Sequence, residues 1–110
     1  MVEESIIMSV KKYLTELIKL GIPVQYGILF GSCTQESGSD RWSDIDLLVI
    51  SPHFDKKYPR EDVELLWVTA GRIDSRIEPI PVGLHRFETD GGSPLLTIAR
   101  REGQIIQAEK

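Results

Sequence analysis

Apolar residues recur at steps of three and four over the first part of the chain. Between Ser5 and Leu20 the positions Ile6, Val10, Tyr13, Leu14, Leu17 and Ile18 fall on one side of a 3.6-residue period. That spacing predicts an amphipathic helix with a single inward stripe. Gly21 supplies a left-handed stop and Pro23 prevents resumption. The pattern then changes. Tyr26 to Phe30 is short and nearly continuous in apolar residues, as in a buried strand, and Gly31-Ser32 ends it. From Cys33 to Ser43 the chain is polar and glycine-containing, with Trp42 its only large apolar residue, and is expected to be a loop or a loop with a short helical turn. Asp44 to Ile50 is the strongest strand signal, closed by Ser51-Pro52. Pro59-Arg60-Glu61-Asp62 opens a second helix, with proline and acids in its first turn. Val63, Leu66, Trp67 and Ala70 are its expected inner stripe and Gly71 its expected end. Ile73 to Val82 is predicted as a third strand, with Pro79 and Pro81 pushing its latter half to a sheet edge or out of the sheet. Ser93-Pro94 is a cap followed by an N1 proline, and a last helix runs to Glu102 with Gly103 as its stop. The order helix, strand, strand, helix, strand, helix predicts an α/β or α+β fold with a small sheet.

At 110 residues the chain is expected to form one domain over residues 1–110. Apolar residues make up 41% and charged residues 27%; both are ordinary for a compact core and exclude global disorder, a collagen-like chain or a coiled coil. The longest apolar runs, such as Leu47 to Ile50, are far short of the roughly 20 residues that cross a bilayer. Acids follow the first methionine where a signal peptide carries bases, and Cys33 is the only cysteine. Both point to a reducing, cytoplasmic setting. Seventeen acids against thirteen bases give a net charge of −4. That disfavours extended nucleic-acid binding and leaves open a small acidic site that recruits a metal.

Asp44 and Asp46 carry the most chemical information. Residues two apart in a strand point to one face, about 6.5–7 Å apart, while Ile45, Leu47 and Val49 take the other face and pack on helices. Two carboxylates at the start of an apolar strand are costly unless water or a cation stabilises them. Oxygen ligands so placed suit Mg²⁺, which completes its shell with water and substrate phosphates; a solvated strand end is the alternative. Gly31-Ser32 lets backbone approach a ligand closely, and a helical turn after it would turn N–H groups toward an anion. A plain strand-to-loop turn is the alternative there. A Walker P-loop is excluded because no Gly-Lys-Ser/Thr follows. Glu78, beside Ile77 in the third predicted strand, is the preferred third acid over Asp74. His53 and His85 have no ligand-spaced partner and are expected to be loop residues. No histidine lies near Cys33 in sequence to make it a catalytic thiol. Trp42, Trp67 and Phe87 are expected to pack, and Arg100 and Arg101 to compensate a helix C-terminus.

The stretch Ile28-Leu29-Phe30-Gly31-Ser32, an eleven-residue spacer, and Asp44-Ile45-Asp46-Leu47-Leu48-Val49-Ile50 together resemble the signature of the DNA polymerase β-like nucleotidyltransferase superfamily. The closest resemblance is to its minimal nucleotidyltransferase branch. Trp42-Ser43, Ser51-Pro52-His53-Phe54, Arg76-Ile77-Glu78-Pro79 and the closing stretch from Pro94-Leu95-Leu96 to Arg101-Glu102-Gly103 extend the likeness over most of the chain. The chain departs from the pattern at the spacer, which in the family is usually ten residues and often begins aromatic-Ala-basic-Gly. Here it begins Cys33-Thr34-Gln35-Glu36, without the basic residue.

The resemblance implies a small mixed sheet flanked by helices. It also implies that Gly31 and Ser32 hold a nucleoside triphosphate, that Asp44 and Asp46 bind two Mg²⁺ ions, and that Glu78 is the third carboxylate, as metal ligand or proton acceptor. The implied reaction transfers a nucleoside monophosphate, AMP from ATP in the first instance, to a hydroxyl of a protein or small molecule, with pyrophosphate leaving. Larger superfamily members add a helical domain for which this chain has no room. A separate small helical partner of the HEPN (higher eukaryote and prokaryote nucleotide-binding) type is therefore implied, with this chain as its antitoxin; a homodimer is the other way to complete the site. A contact-only module that neutralises a helical partner without catalysis is the competing expectation.

Overall fold

The computed structural model describes residues 4–30 and 44–108. The first helix, α1 (Glu4–Lys19), buries the predicted stripe at Ile6, Val10, Tyr13, Leu14 and Leu17. It stops at Gly21, whose φ of 105° is the left-handed conformation that glycine adopts without strain. Strands β1 (Tyr26–Phe30) and β2 (Ile45–Ser51) form an antiparallel pair. The expected loop between them, including Gly31 and Ser32, lies outside the described residues.

After β2 come a 3₁₀ turn (Pro52–Asp55), α2 (Arg60–Ile73), β3 (Ile77–Gly83), α3 (Leu84–Thr89), α4 (Pro94–Glu102) and β4 (Gln104–Ile106). The sheet order is β3-β2-β1-β4; β3 runs parallel to β2, and β4 antiparallel to β1. The sheet is therefore small, mixed and flanked by helices, as expected.

The pleat splits the apolar residues between two cores. Leu29, Ile45, Leu47 and Val49 pack under α1 and α2 with Leu14, Leu17, Leu66 and Ala70. Ile28, Leu48, Ile50 and Val82 pack with Phe87 of α3 and with Leu96 and Ala99 of α4. The buried Tyr13 hydroxyl donates to the Leu66 carbonyl at 2.9 Å and ties α1 to α2. Burial pushes this phenol well above its usual range, so it stays a donor.

Several expectations need correction. Gly71 does not end α2, which continues through Ile73, so the predicted start of the third strand is helical. The stop is Asp74, whose N–H reaches the Ala70 carbonyl and whose carboxylate captures Arg76. Trp67 faces outward; Leu66, Thr69 and Ala70 are the buried residues of α2. Counting only apolar positions skipped Thr69 and so rotated the stripe towards the tryptophan. For Pro79 and Pro81, by contrast, the first of the two expected outcomes holds: both stay within β3, which is an edge strand. They are two residues apart, so their missing N–H groups lie on one side of the strand, away from β2.

Candidate functional site: carboxylates at one end of the sheet

The parallel β2–β3 register decides what meets Asp46. Its Cα partner is Glu78, just as Ile45 is paired with Ile77. In-register residues on neighbouring strands share a face, and this is the face of Leu48, Ile50 and Val82 that packs on α3 and α4. On the other side Asp46 pairs with Phe30, the last residue before Gly31-Ser32. Asp44, exposed, precedes β2 and projects at the same end. The sheet thus gathers two half-buried carboxylates and one exposed one at the mouth between β2 and β3.

Their proximity shows in the Glu78 carboxyl. Partial withdrawal from water, then the negative charge of Asp44 and the hydrogen-bonding reach and charge of Asp46, push its pKa above the ordinary glutamate value. The Glu78 carboxyl therefore lies within electrostatic reach of both aspartates. Among the described residues, however, no group of three or more His, Cys, Asp or Glu side chains is arranged to hold a metal ion.

Asp74, the competitor for the third position, is used otherwise. Its carboxylate accepts from Arg76 Nε at 3.0 Å and Nη2 at 2.7 Å, and from the Arg76 backbone N–H at 3.0 Å. Chiefly through the Arg76 guanidinium, its pKa is held below the usual aspartate value. Arg76 enters the sequence analysis only as part of Arg76-Ile77-Glu78-Pro79, without the role the structure gives it. Its carbonyl accepts the Ile45 N–H at 2.8 Å, locking β3 onto β2 one step before the carboxylates meet. The signal was present as Asp74-x-Arg76, an acid and a guanidinium spaced to close a turn.

The other singled-out residues sit elsewhere. His53 lies in the 3₁₀ turn at the opposite end of β2, and its Nε2 lies 2.6 Å from Asp62 Oδ2. His85 lies at the start of α3, where its backbone N–H donates to Asp55. Phe87 is core, and Arg100 stacks on its ring at 4.9 Å while donating to the Phe87 and Asp90 carbonyls. Arg100 therefore caps the C-terminal end of α3 rather than compensating its own helix. Cys33 and Trp42 lie outside the described residues.

No protein-family model and no curated protein matches the chain. Solved structures do. A chain from a crystal structure of a toxin–antitoxin with AMP-PNP superposes with a TM-score of 0.58 at 21% identity, covering 91% of this chain and 74% of that one. A chain from a tri-AMPylated Shewanella oneidensis HEPN toxin in complex with MNT antitoxin gives 0.54 at 18% identity, covering 94% and 73%. The fold is shared. Among the described residues no helix is long and apolar enough to cross a membrane.

Proposed function

We propose that this chain is a metal-dependent nucleotidyltransferase that moves AMP from ATP, or another nucleoside monophosphate, to a hydroxyl on a protein or small molecule. The observation that carries this reading is the in-register meeting of Asp46 with Glu78, with Asp44 beside them. Three carboxylates on a rigid sheet end are a donor set for hard divalent cations, and their mutual repulsion is what such a cation relieves. Asp44 and Asp46 would hold Mg²⁺, with Glu78 as the third ligand or the proton acceptor. When bound, the ions would supply charge compensation for the triphosphate and the leaving pyrophosphate. The chain's own residues do the rest. The β2–β3 ladder, secured by Arg76, fixes the direction in which the carboxylates point. Gly31 and Ser32, directly after β1, would cradle the phosphates through backbone N–H groups and the serine hydroxyl. Glu78, whose carboxyl holds its proton more tightly than an ordinary glutamate, is the group suited to take the proton of the attacking hydroxyl.

The structural likeness to toxin–antitoxin chains, one solved with AMP-PNP and one with an AMPylated HEPN toxin, supports a role as the antitoxin of a separate small helical protein of HEPN type. A contact-only module is the second reading. It is favoured by the spacer that lacks a basic residue and by the absence of a ready three-ligand cage among the described residues. Incubating the purified chain with Mg²⁺ and α-labelled ATP, with and without a helical partner, separates the two. Transfer of label that falls by orders of magnitude in Asp44→Asn and Asp46→Asn is the expected result. Tight partner binding with no label transferred would establish the contact-only module instead.

A further inference from the structure

Next to the carboxylates stands a cation that is paired elsewhere. Ile45 pairs with Ile77 and donates its N–H to the Arg76 carbonyl at 2.8 Å. One step back along this ladder Asp44 therefore lies across from Arg76, on chains about 4.8 Å apart. Glu78 follows two residues later on β3. Guanidinium–carboxylate pairs are charge-assisted and often bidentate, so an arginine in this position has every reason to neutralise one of these acids. Among the described residues, however, its ion pair is with Asp74, behind it in the chain: Nε donates to Oδ1 at 3.0 Å and Nη2 to Oδ2 at 2.7 Å. Asp74 is fixed for that contact. Its N–H bonds the Ala70 carbonyl at 2.8 Å and its carbonyl accepts the Ile77 N–H at 3.0 Å, so its backbone is held on both sides. The carboxylate also accepts the Arg76 backbone N–H at 3.0 Å and hydrogen-bonds to Ser9 of α1. The Asp74 side chain is 13% exposed and that of Arg76 29%, so water competes little for either.

We infer that Asp74 is a positioning residue for the carboxylate site: by holding the Arg76 guanidinium it keeps that cation off Asp44 and Glu78 and leaves their charge to a divalent ion. The inference rests on the metal-binding reading proposed above. A guanidinium released from Asp74 is a half-buried charge that needs a new acceptor, and the nearest acids are the proposed ligands. Tethered one strand away, it competes at high effective concentration. A carboxylate engaged by arginine cannot at the same time complete the shell of Mg²⁺. The electrostatic role of Asp74 is separable from its place in the turn. Asparagine at this position keeps the shape and an oxygen acceptor for the Arg76 N–H, but loses the charge that holds the guanidinium. Glutamine at position 76 removes the competing cation and keeps the backbone carbonyl that bonds Ile45.

Calorimetric titration of Mg²⁺ into the full chain and three variants, each first shown to melt cooperatively in EDTA, tests the inference. Asp74→Asn should weaken Mg²⁺ binding by about tenfold. Arg76→Gln and the double variant Asp74→Asn/Arg76→Gln contain no competing cation and should bind within a few-fold of the parent. A pair that served only to hold β3 in register gives a different order, because all three variants break it and all three then lose affinity. That order, or Asp74→Asn binding Mg²⁺ as tightly as the parent, overturns the inference. Arg76→Gln decides the matter alone should Asp74→Asn fail to fold: retained affinity supports the inference and lost affinity overturns it. A parent chain that binds no Mg²⁺ contradicts the metal-binding reading itself and this inference with it, a result distinct from a parent that binds and variants that rank wrongly.

Discussion

At the scale of single residues, Glu78 is where sequence and electrostatics meet. A glutamate in an apolar strand is hard to interpret alone; paired in register with Asp46 it becomes the third member of a repelling group. Its raised pKa has a definite sign in the stability. The folded chain holds the Glu78 proton more tightly than the unfolded chain, so the stability linked to this group is fully present below the unfolded pKa. It is lost as pH rises through the folded value. Glu78→Gln removes the charge without removing the shape. In the absence of divalent cations the variant should therefore melt higher than the parent at pH 7, with the difference shrinking towards pH 4. Equal melting temperatures at pH 7 would mean that the three carboxyls do not repel. Asp74 shows the opposite environment: the Arg76 guanidinium lowers its pKa, and its contribution is lost only as pH falls through that lowered value. The sequence alone favours Glu78 over Asp74; what no local pattern encodes is the strand pairing that sets Glu78 in register with Asp46.

At the scale of elements, long periodic stretches were legible and short ones were not. α1, β1, β2 and α4 lie within a residue or so of their predicted bounds because each has a full stripe, a continuous apolar run or a cap. The 3₁₀ turn, α3 and β4 were missed. Each is six residues or fewer; the 3₁₀ turn has a local cap, Ser51 accepting the His53 N–H with Pro52 at its first position, whereas α3 and β4 are held by tertiary contacts. α3 is the clearest case: Asp55, from the 3₁₀ turn, accepts from the backbone N–H groups of His85 at 2.8 Å and Arg86 at 3.1 Å. Gly83 makes room for it, since a Cβ there would lie 1.9 Å from Asp55 Oδ1. Gly103 does the same between α4 and β4, where a Cβ would come within 2.4 Å of both the Ala99 carbonyl and Ile28 Cγ2. Its φ of −78° suits any residue, so the need for glycine is steric. Gly103→Ala should cost about 1–3 kcal/mol in chemical denaturation, whereas Gly71→Ala, in the last turn of α2 with nothing within 4 Å of the added Cβ, should gain up to about 1 kcal/mol. A neutral Gly103→Ala would show that β4 can shift away from its helix without cost.

At the scale of the molecule, the two-sided sheet separates tasks. One face, under α1 and α2, carries most of the core and leaves the outer side of α2 bare. The other face carries Asp46 and Glu78 beyond the smaller core made with α3 and α4. The Asp-x-Asp pair and its strand were plain in the sequence because alternation alone places both acids opposite Ile45, Leu47 and Val49. The exposed Trp67 was not, because Thr69 hides in the buried stripe and only packing reveals which face of α2 turns inward. The central claim, that the sheet end is built to be completed by a divalent cation, is tested most directly by thermal denaturation at pH 7 with and without Mg²⁺. Binding to the folded state alone raises the melting temperature by mass action. Mg²⁺ should raise it in the parent chain and leave Asp46→Asn and Glu78→Gln unmoved; an equal shift in all three proteins, or none in the parent, would contradict the account.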